Sequence, residues 1–366
     1  MRRLHLLTLL PALLAATAHA APPDPTHFTI KGDSITFQFG STDSDAAILD
    51  THPELKAIYF GGGGAWSGID PRLVPLTITN AGFAHVANCK NLEVLYLDTM
   101  HPLQITDDAL KLLAPLTSLR TLHTGATYFS DAGLAHLAPL QNLEDLSLDF
   151  ANTYTDAALD TIGSLKKLRK FDTYSAPLTD AGIAKLKNLT ALEELTLGKS
   201  QIGDAALDTI ATFKNLTELD LQHTKITDAG MPRLKALPKL QSLGLTGTAI
   251  TTQGTDNLAD STNLKFLYLE GTQIDDAGLA HLNKLTQLTD LYLTDTRITD
   301  AGLPHLAPFT HLIGLKLSGP AITDAGITAL APLKALQNLT LTNTAVTPAA
   351  RARLQQSGIT VSPPAP

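Results

Sequence analysis

Four histidines of this 366-residue chain are spaced as metal ligands might be. His85, His136, His281 and His305 each follow by two residues the apolar residue that closes a recurring phrase, so they share one helical column. His281 and His305 fall in adjacent units, where packed helices stand about 8–10 Å apart, whereas zinc needs imidazole nitrogens about 2 Å away. No third or fourth ligand accompanies them, and the column reads as solvated histidines on a convex face. Cys89 is the only cysteine, which excludes an intrachain disulfide, and it stands where other units carry Leu116, Leu140 and Leu237. It is therefore expected in the core rather than as a nucleophile. The recurring aspartates (Asp107, Asp131, Asp156, Asp180, Asp204, Asp228, Asp276, Asp300 and Asp324) could ladder a metal or act as paired acids. Their place beside a threonine at each helix start favours capping instead. The Gly61 to Gly64 run lacks the phosphate-cradling spacings of nucleotide-binding loops and reads as a flexible loop containing Trp66. No serine-hydrolase elbow, zinc-protease helix or Cys-x-x-Cys pair is present. The expectation is a protein with no catalytic residue, no cofactor and no metal.

What positions these residues is a repeat. Ile-Thr-Asp-Ala-Gly-Leu or a close variant begins at Ile78, Ile105, Phe129, Tyr154, Leu178, Ile202, Ile226, Ile250, Ile274, Ile298, Ile322 and Val346, and from Tyr154 onward every interval is 24 residues. In the unit 226–249, Thr227 and Asp228 mark a helix start. Met231, Leu234 and Leu237 then recur at helical spacing and face inward. Leu243 and Leu245 straddle Gly244 with the two-residue period of a strand. One such unit cannot bury its apolar edge alone, whereas a stack of them makes a continuous core. Thr255 and Ser261 put polar groups where neighbouring units carry leucine or methionine, so that unit is expected to be the weaker one.

This phrase and period resemble the leucine-rich repeat, in its Ile-Thr-Asp-x-Gly-Leu class, over about residues 55–360. That class is known from the substrate-binding regions of F-box proteins and from many bacterial proteins. The resemblance implies an α/β solenoid, a horseshoe with a parallel sheet on the concave face and helices on the convex face. Where F-box relatives often carry cysteine after the strand, this chain has Thr127, Thr224, Thr248, Thr272, Thr296 and Thr344, whose hydroxyls are expected to bond backbone from one unit to the next. No F-box is present, so the ubiquitin-ligase role is not carried over.

The concave face is then set by three outward strand positions per unit. Over the eleven units with strands from Leu95 to Leu341 these number 33, and nine are acidic: Asp98, Asp145, Asp149, Asp172, Glu194, Glu218, Asp220, Glu270 and Asp290. Composition alone gives about three. Only Lys170 and Lys316 are basic. Tyr96, Tyr174, Tyr268, Tyr292 and Phe266 share the face, with Tyr268 and Tyr292 in one column of consecutive units. Tyrosines beside a charged field are the residue type of binding hot spots. The residues expected to contact a partner are Tyr96, Asp145, Asp149, Asp172, Tyr174, Glu194, Glu218, Asp220, Phe266, Tyr268 and Tyr292.

The ends complete the organisation. Arg2 and Arg3, the apolar run Leu4 to Ala16 and Ala18-His19-Ala20 read as a secretory signal peptide, cut after Ala20. Its removal leaves 25 basic residues against 35 acids, a charge of −10 that disfavours nucleic acid. Residues 21–54 read as an N-terminal cap with a β-hairpin around Gly32-Asp33, 55–345 as the solenoid, 346–361 as a C-terminal cap repeat and 362–366 as a disordered tail. The expected function is non-enzymatic binding of a protein or peptide with a basic patch, by an exported periplasmic or secreted protein with no stable membrane insertion. A carbohydrate- or cell-wall-binding module, or a structural envelope protein, is the alternative.

Overall fold

A computed structural model describes residues 22–61, 75–97, 103–125, 127–148 and 153–362. The signal segment, Gly62 to Gly64 with Trp66, Asp98, Asp149 and the residues 363–366 lie outside the described residues. Within them, fifteen strands form a single sheet whose spatial order is the chain order. Phe28–Lys31 (β1) and Ser34–Phe37 (β2) make an antiparallel hairpin. Every later strand pairs in parallel with its predecessor. These are Ala57–Phe60 (β3), Val94–Tyr96 (β4), Thr121–His123 (β5), Asp145–Ser147 (β6), Lys170–Asp172 (β7), Glu194–Thr196 (β8) and Glu218–Asp220 (β9). They continue as Ser242–Gly244 (β10), Phe266–Tyr268 (β11), Asp290–Leu293 (β12), Gly314–Ser318 (β13), Asn338–Thr342 (β14) and Thr360–Ser362 (β15). The last strand reaches Ser362, one residue past the boundary drawn from the sequence.

The register explains the core. Leu219, Leu243, Leu267, Leu291, Leu315 and Leu339 stand opposite one another across six strands, and all are buried. Each strand therefore contributes a leucine to a ladder that only its neighbours can cover, at roughly 1.5–3 kcal/mol per side chain. The convex side carries short α and 3-10 turns rather than long helices, as in Met231–Ala236, whose Met231 and Leu234 point inward. Among the described residues no helix is long and apolar enough to cross a membrane.

The repeated aspartate does something other than cap its own helix. Thr227, Thr251, Thr299 and Thr323 donate their backbone N–H to one oxygen of Asp204, Asp228, Asp276 and Asp300 of the preceding unit, and their hydroxyl to the other, all at 2.5–2.8 Å. The threonine caps: the Gln253 N–H donates to Thr251 Oγ1 at 3.2 Å and the Ala325 N–H to Thr323 Oγ1 at 3.1 Å. The aspartate staples unit to unit. This also accounts for the phrase's glycine, because a Cβ on Gly133, Gly182, Gly302 or Gly326 would lie well inside contact with the preceding unit's aspartate. One staple runs in reverse: Thr252 stands in the aspartate position and donates to Asp275, at 2.6 Å.

The threonines after the strands also differ from expectation. The hydroxyls of Thr127, Thr224, Thr248, Thr272 and Thr296 donate to a carbonyl three residues earlier in their own unit, at 2.6–2.7 Å, not across units. Thr344 instead accepts from Arg351. These hydroxyls tie down the turn that leaves the sheet. Thr255 is fully buried, and its hydroxyl donates to the Thr252 carbonyl at 2.6 Å, so the polar group is satisfied and the unit loses only apolar area. Cys89 is a core residue whose thiol burial pushes up to about 11.

Candidate functional site

Strand register sorts the outward residues into columns. The middle column, read from β3 to β14, runs Tyr59, Tyr96, His123, Ser147, Asp172, Thr196, Asp220, Gly244, Tyr268, Tyr292, Lys316 and Thr340. Aromatic residues therefore stand at both ends of a polar stretch. At the first end, Tyr59 and Tyr96 pack with ring centroids 5.2 Å apart, and Tyr96 meets the His123 ring at 4.2 Å. At the second, Tyr268 and Tyr292 are 5.0 Å apart and tilted by 58°. The Lys316 ammonium sits 3.7 Å from the Tyr292 ring centroid and 3.4 Å from Glu270 Oε1. Beside this pair the Phe266 ring is 37 % exposed.

The carboxylates between these ends are not all alike. Asp145 pairs with His123 at 3.0 Å, and Glu194 with Lys170 at 2.6 Å, which holds the Lys170 ammonium above its usual range. Glu218 and Asp220 of β9 have no ion pair among the described residues. Burial pushes the Asp220 carboxyl above the ordinary carboxylate range, against the pull of the Gln222 backbone and side-chain N–H groups that donate to it. Burial likewise raises the phenols of Tyr268 and Tyr292, helped by nearby carboxylates including Asp290 and Glu270. From β8 to β13 the face sinks into a recess of about 450 Å³ that passes over Gly244, with Glu194, Glu218 and Asp220 on one side and Tyr268, Glu270, Tyr292 and Lys316 on the other. Among the described residues no group of three or more His, Cys, Asp or Glu could hold a metal. His85 and His281 of the convex column each pair with one aspartate, Asp50 at 2.8 Å and Asp256 at 2.9 Å.

The architecture can be matched against known proteins. A family model described as leucine rich repeat matches residues 214–274. An internalin from Listeria monocytogenes superposes with a TM-score of 0.65 at 21 % identity, covering 90 % of this chain and 86 % of that one. A leucine-rich-repeat protein of Leptospira interrogans gives 0.58 at 16 % identity, over 90 % and 89 % of the two chains. This chain is a leucine-rich-repeat solenoid. A plant peptide hormone receptor, solved in complex with RGF2, matches at 0.51 and 17 % identity, over 88 % of this chain and 49 % of the receptor chain. No curated protein sequence matches.

On the concave face of this leucine-rich-repeat solenoid, the structure gathers most of the residues singled out from sequence. Tyr96, Asp145, Asp172, Glu194, Glu218, Asp220, Phe266, Tyr268 and Tyr292 flank the central apolar residue of β4, β6, β7, β8, β9, β11 and β12. Tyr174 lies two residues beyond β7, with the Lys199 ammonium 5.0 Å from its ring centroid. Counting Lys and Arg alone missed His123, whose imidazole faces Asp145, and Lys199, which enters from a loop. It also leaves out Tyr59, because the count begins with the strand of Leu95 and does not include the divergent first repeat strand at residues 55–60. Gly244 was read as a strand residue, although its place in the middle column already marks a gap beside Tyr268.

Proposed function

We propose that this leucine-rich-repeat chain is a non-enzymatic binding module, and that its concave face recognises a protein or peptide bearing basic residues. One observation carries the reading: among the described residues Glu218 and Asp220 lie without an ionic partner, beside a tyrosine pair, on a sheet face that no described strand or helix covers. A charged face of this kind raises the association rate and filters partners, while aromatic anchors slow dissociation. The reading is supported by the fold shared with the plant peptide hormone receptor solved in complex with RGF2. Export after Ala20, to the periplasm or beyond, belongs to this reading, supported by the Arg2-Arg3 start and the Ala-His-Ala motif. The carbohydrate alternative is less favoured, since the Lys316 ammonium already lies over the Tyr292 ring and the Tyr268 ring packs against it tilted by 58° rather than in a flat platform.

The test is selection of peptides from a random display library on the immobilised mature protein, followed by binding kinetics at two salt concentrations. Selected sequences are expected to be rich in Lys and Arg and to associate more slowly at high salt. Asp145→Lys with Asp172→Lys should slow association tenfold or more in a solenoid that still unfolds cooperatively, and Tyr268→Ala with Tyr292→Ala should speed dissociation. Neutral or acidic selected sequences, or unchanged kinetics in both variants, overturn the concave site.

A further inference from the structure

We infer that the recess floored by Gly244 takes a guanidinium group, that is, one arginine side chain of an extended segment lying across the sheet. The inference rests on the proposed reading of the concave face and narrows it to one residue type at one place. The recess itself, rather than the number of acids around it, singles out the position. In the middle column Tyr292 is covered by Lys316 on one side and by Tyr268 on the other. The register neighbour of Tyr268 on its remaining side is Gly244, which has no side chain to cover the ring. From the opposite wall the Asp220 carboxylate leans across the glycine: a Cβ on Gly244 would stand 2.6 Å from Asp220 Oδ1. An uncovered aromatic side and a half-buried carboxylate thus converge on one gap, with Glu218 beside them on β9.

The chemistry of the walls selects the occupant. A planar cation can lie against a ring while its N–H edge donates to a carboxylate, and guanidinium does both at once. An ammonium can sit over a ring beside a carboxylate, as Lys316 does over Tyr292 next to Glu270, but it is a compact, strongly hydrated charge without the flat face and fork of donors that guanidinium brings to both walls at once. The flanking carboxylates sharpen the choice of place, because Glu194 and Glu270 are already bound to Lys170 and Lys316, while Glu218 and Asp220 have no such partner among the described residues. A metal ion is a poor alternative, since among the described residues no group of three or more His, Cys, Asp or Glu could hold one, whereas the Asp220 oxygens, each with one hydrogen bond from Gln222, can still accept a further N–H. Parallel strands at about 4.8 Å put β9 and β11 roughly 10 Å apart, enough for one flat cation between carboxylate and ring.

The test uses the full mature chain with ¹³C-labelled tyrosine rings and three small probes: N-acetylarginine methylamide and its lysine and citrulline counterparts. The arginine probe should shift the Tyr268 ring signal saturably, with the citrulline probe at least tenfold weaker and the lysine probe several-fold weaker. Asp220→Asn should weaken the arginine probe tenfold or more, and Tyr268→Leu several-fold, with unchanged Tm showing that both variants fold. No saturable shift, equal binding of lysine or citrulline, or an unaffected Asp220→Asn variant overturns the inference. If the arginine probe fails while Asp145→Lys with Asp172→Lys still slows selected peptides, the recess is wrong and the concave reading stands. If both fail, the concave reading falls with it.

Discussion

Asp276 and Gly302 form one device although 26 positions separate them. The carboxylate accepts from the Thr299 N–H and hydroxyl, at 2.8 and 2.6 Å, and fills the space a Cβ on Gly302 would need. Gly278 holds the same place in the phrase but faces Thr252, and a Cβ there would come no nearer than 3.2 Å. Alanine is otherwise the better helix former by about 1 kcal/mol, so the two glycines should respond in opposite directions. Gly302→Ala is expected to lower stability by about 1–3 kcal/mol, because a half-buried hydrogen-bonded carboxylate must move. Gly278→Ala should be neutral or mildly stabilising, and urea unfolding of the two variants distinguishes them. Equal losses would show that the aspartate does not dictate the glycine. The staple was only half legible in the sequence. The aspartate stands beside a helix start in the chain, which suggests capping, while its partner lies 23 residues ahead. The usable signal was the reversed pair Thr252 and Asp275, where the two residue types exchange places between adjacent units.

At the β1 end of the sheet, one buried carboxylate fastens an element. Asp45, in the turn Asp43–Ala46, accepts from the Asp24 N–H at 2.7 Å and the Thr42 N–H at 2.8 Å, and meets His27 Nδ1 at 2.9 Å. Burial alone would raise its pKa, yet these hydrogen bonds together hold it below the ordinary range. The hydrogen bond to Asp45 raises His27. A raised histidine stabilises the folded state fully below its unfolded pKa, and this is lost as pH climbs through the folded value. A lowered aspartate stabilises above its unfolded pKa, and this is lost as pH falls through the folded value. The latch should therefore be tightest between the two unfolded values, at about pH 4–6, and looser at about pH 8. Amide exchange at Asp24 and Thr42, corrected for intrinsic rates, should be slower at the lower pH, and His27→Gln should flatten the difference. A pH-independent protection factor in the wild type would remove His27 from the account. The hairpin after this latch was legible because Phe28 to Phe39 alternates around Gly32, whereas the latch was not, since no periodicity links residues 18 and 21 positions apart. The strand threonines were misassigned for a related reason. A hydroxyl's partner is chosen by local turn geometry, and residue type at a 24-residue spacing cannot tell a carbonyl in the same unit from one in the next.

At the scale of the molecule every unit leans only on its neighbours, so the solenoid's stability is close to a sum of units and interfaces, with the ends as special cases. The periodicity made that architecture legible, and it made the concave positions legible by counting. What counting could not supply was which carboxylates are already paired, because Lys170, His123 and Lys316 reach across strands to particular partners. The same near-additivity separates two deletions. Removing 298–321 takes out one 24-residue unit and brings Thr323 and Gly326 onto Asp276, the partner type each has now in Asp300. The staple, the leucine ladder, the β1–β2 hairpin and the Pro348–Gln356 helix with β15 survive, so a monomer with cooperative unfolding and a modestly lower Tm is expected. Removing 346–366 is shorter but takes the helix Pro348–Gln356 and β15 together. Leu354 and Ile359 then no longer pack on the core, and the backbone of β14 becomes an open five-residue edge of alternating leucines. An uncovered edge of that kind pairs with other copies. Size-exclusion chromatography should show the longer deletion monomeric and the shorter one associating with rising concentration. If the cap deletion stays monomeric while loss of 298–321 causes aggregation, the units are not interchangeable and stability resides in one particular unit.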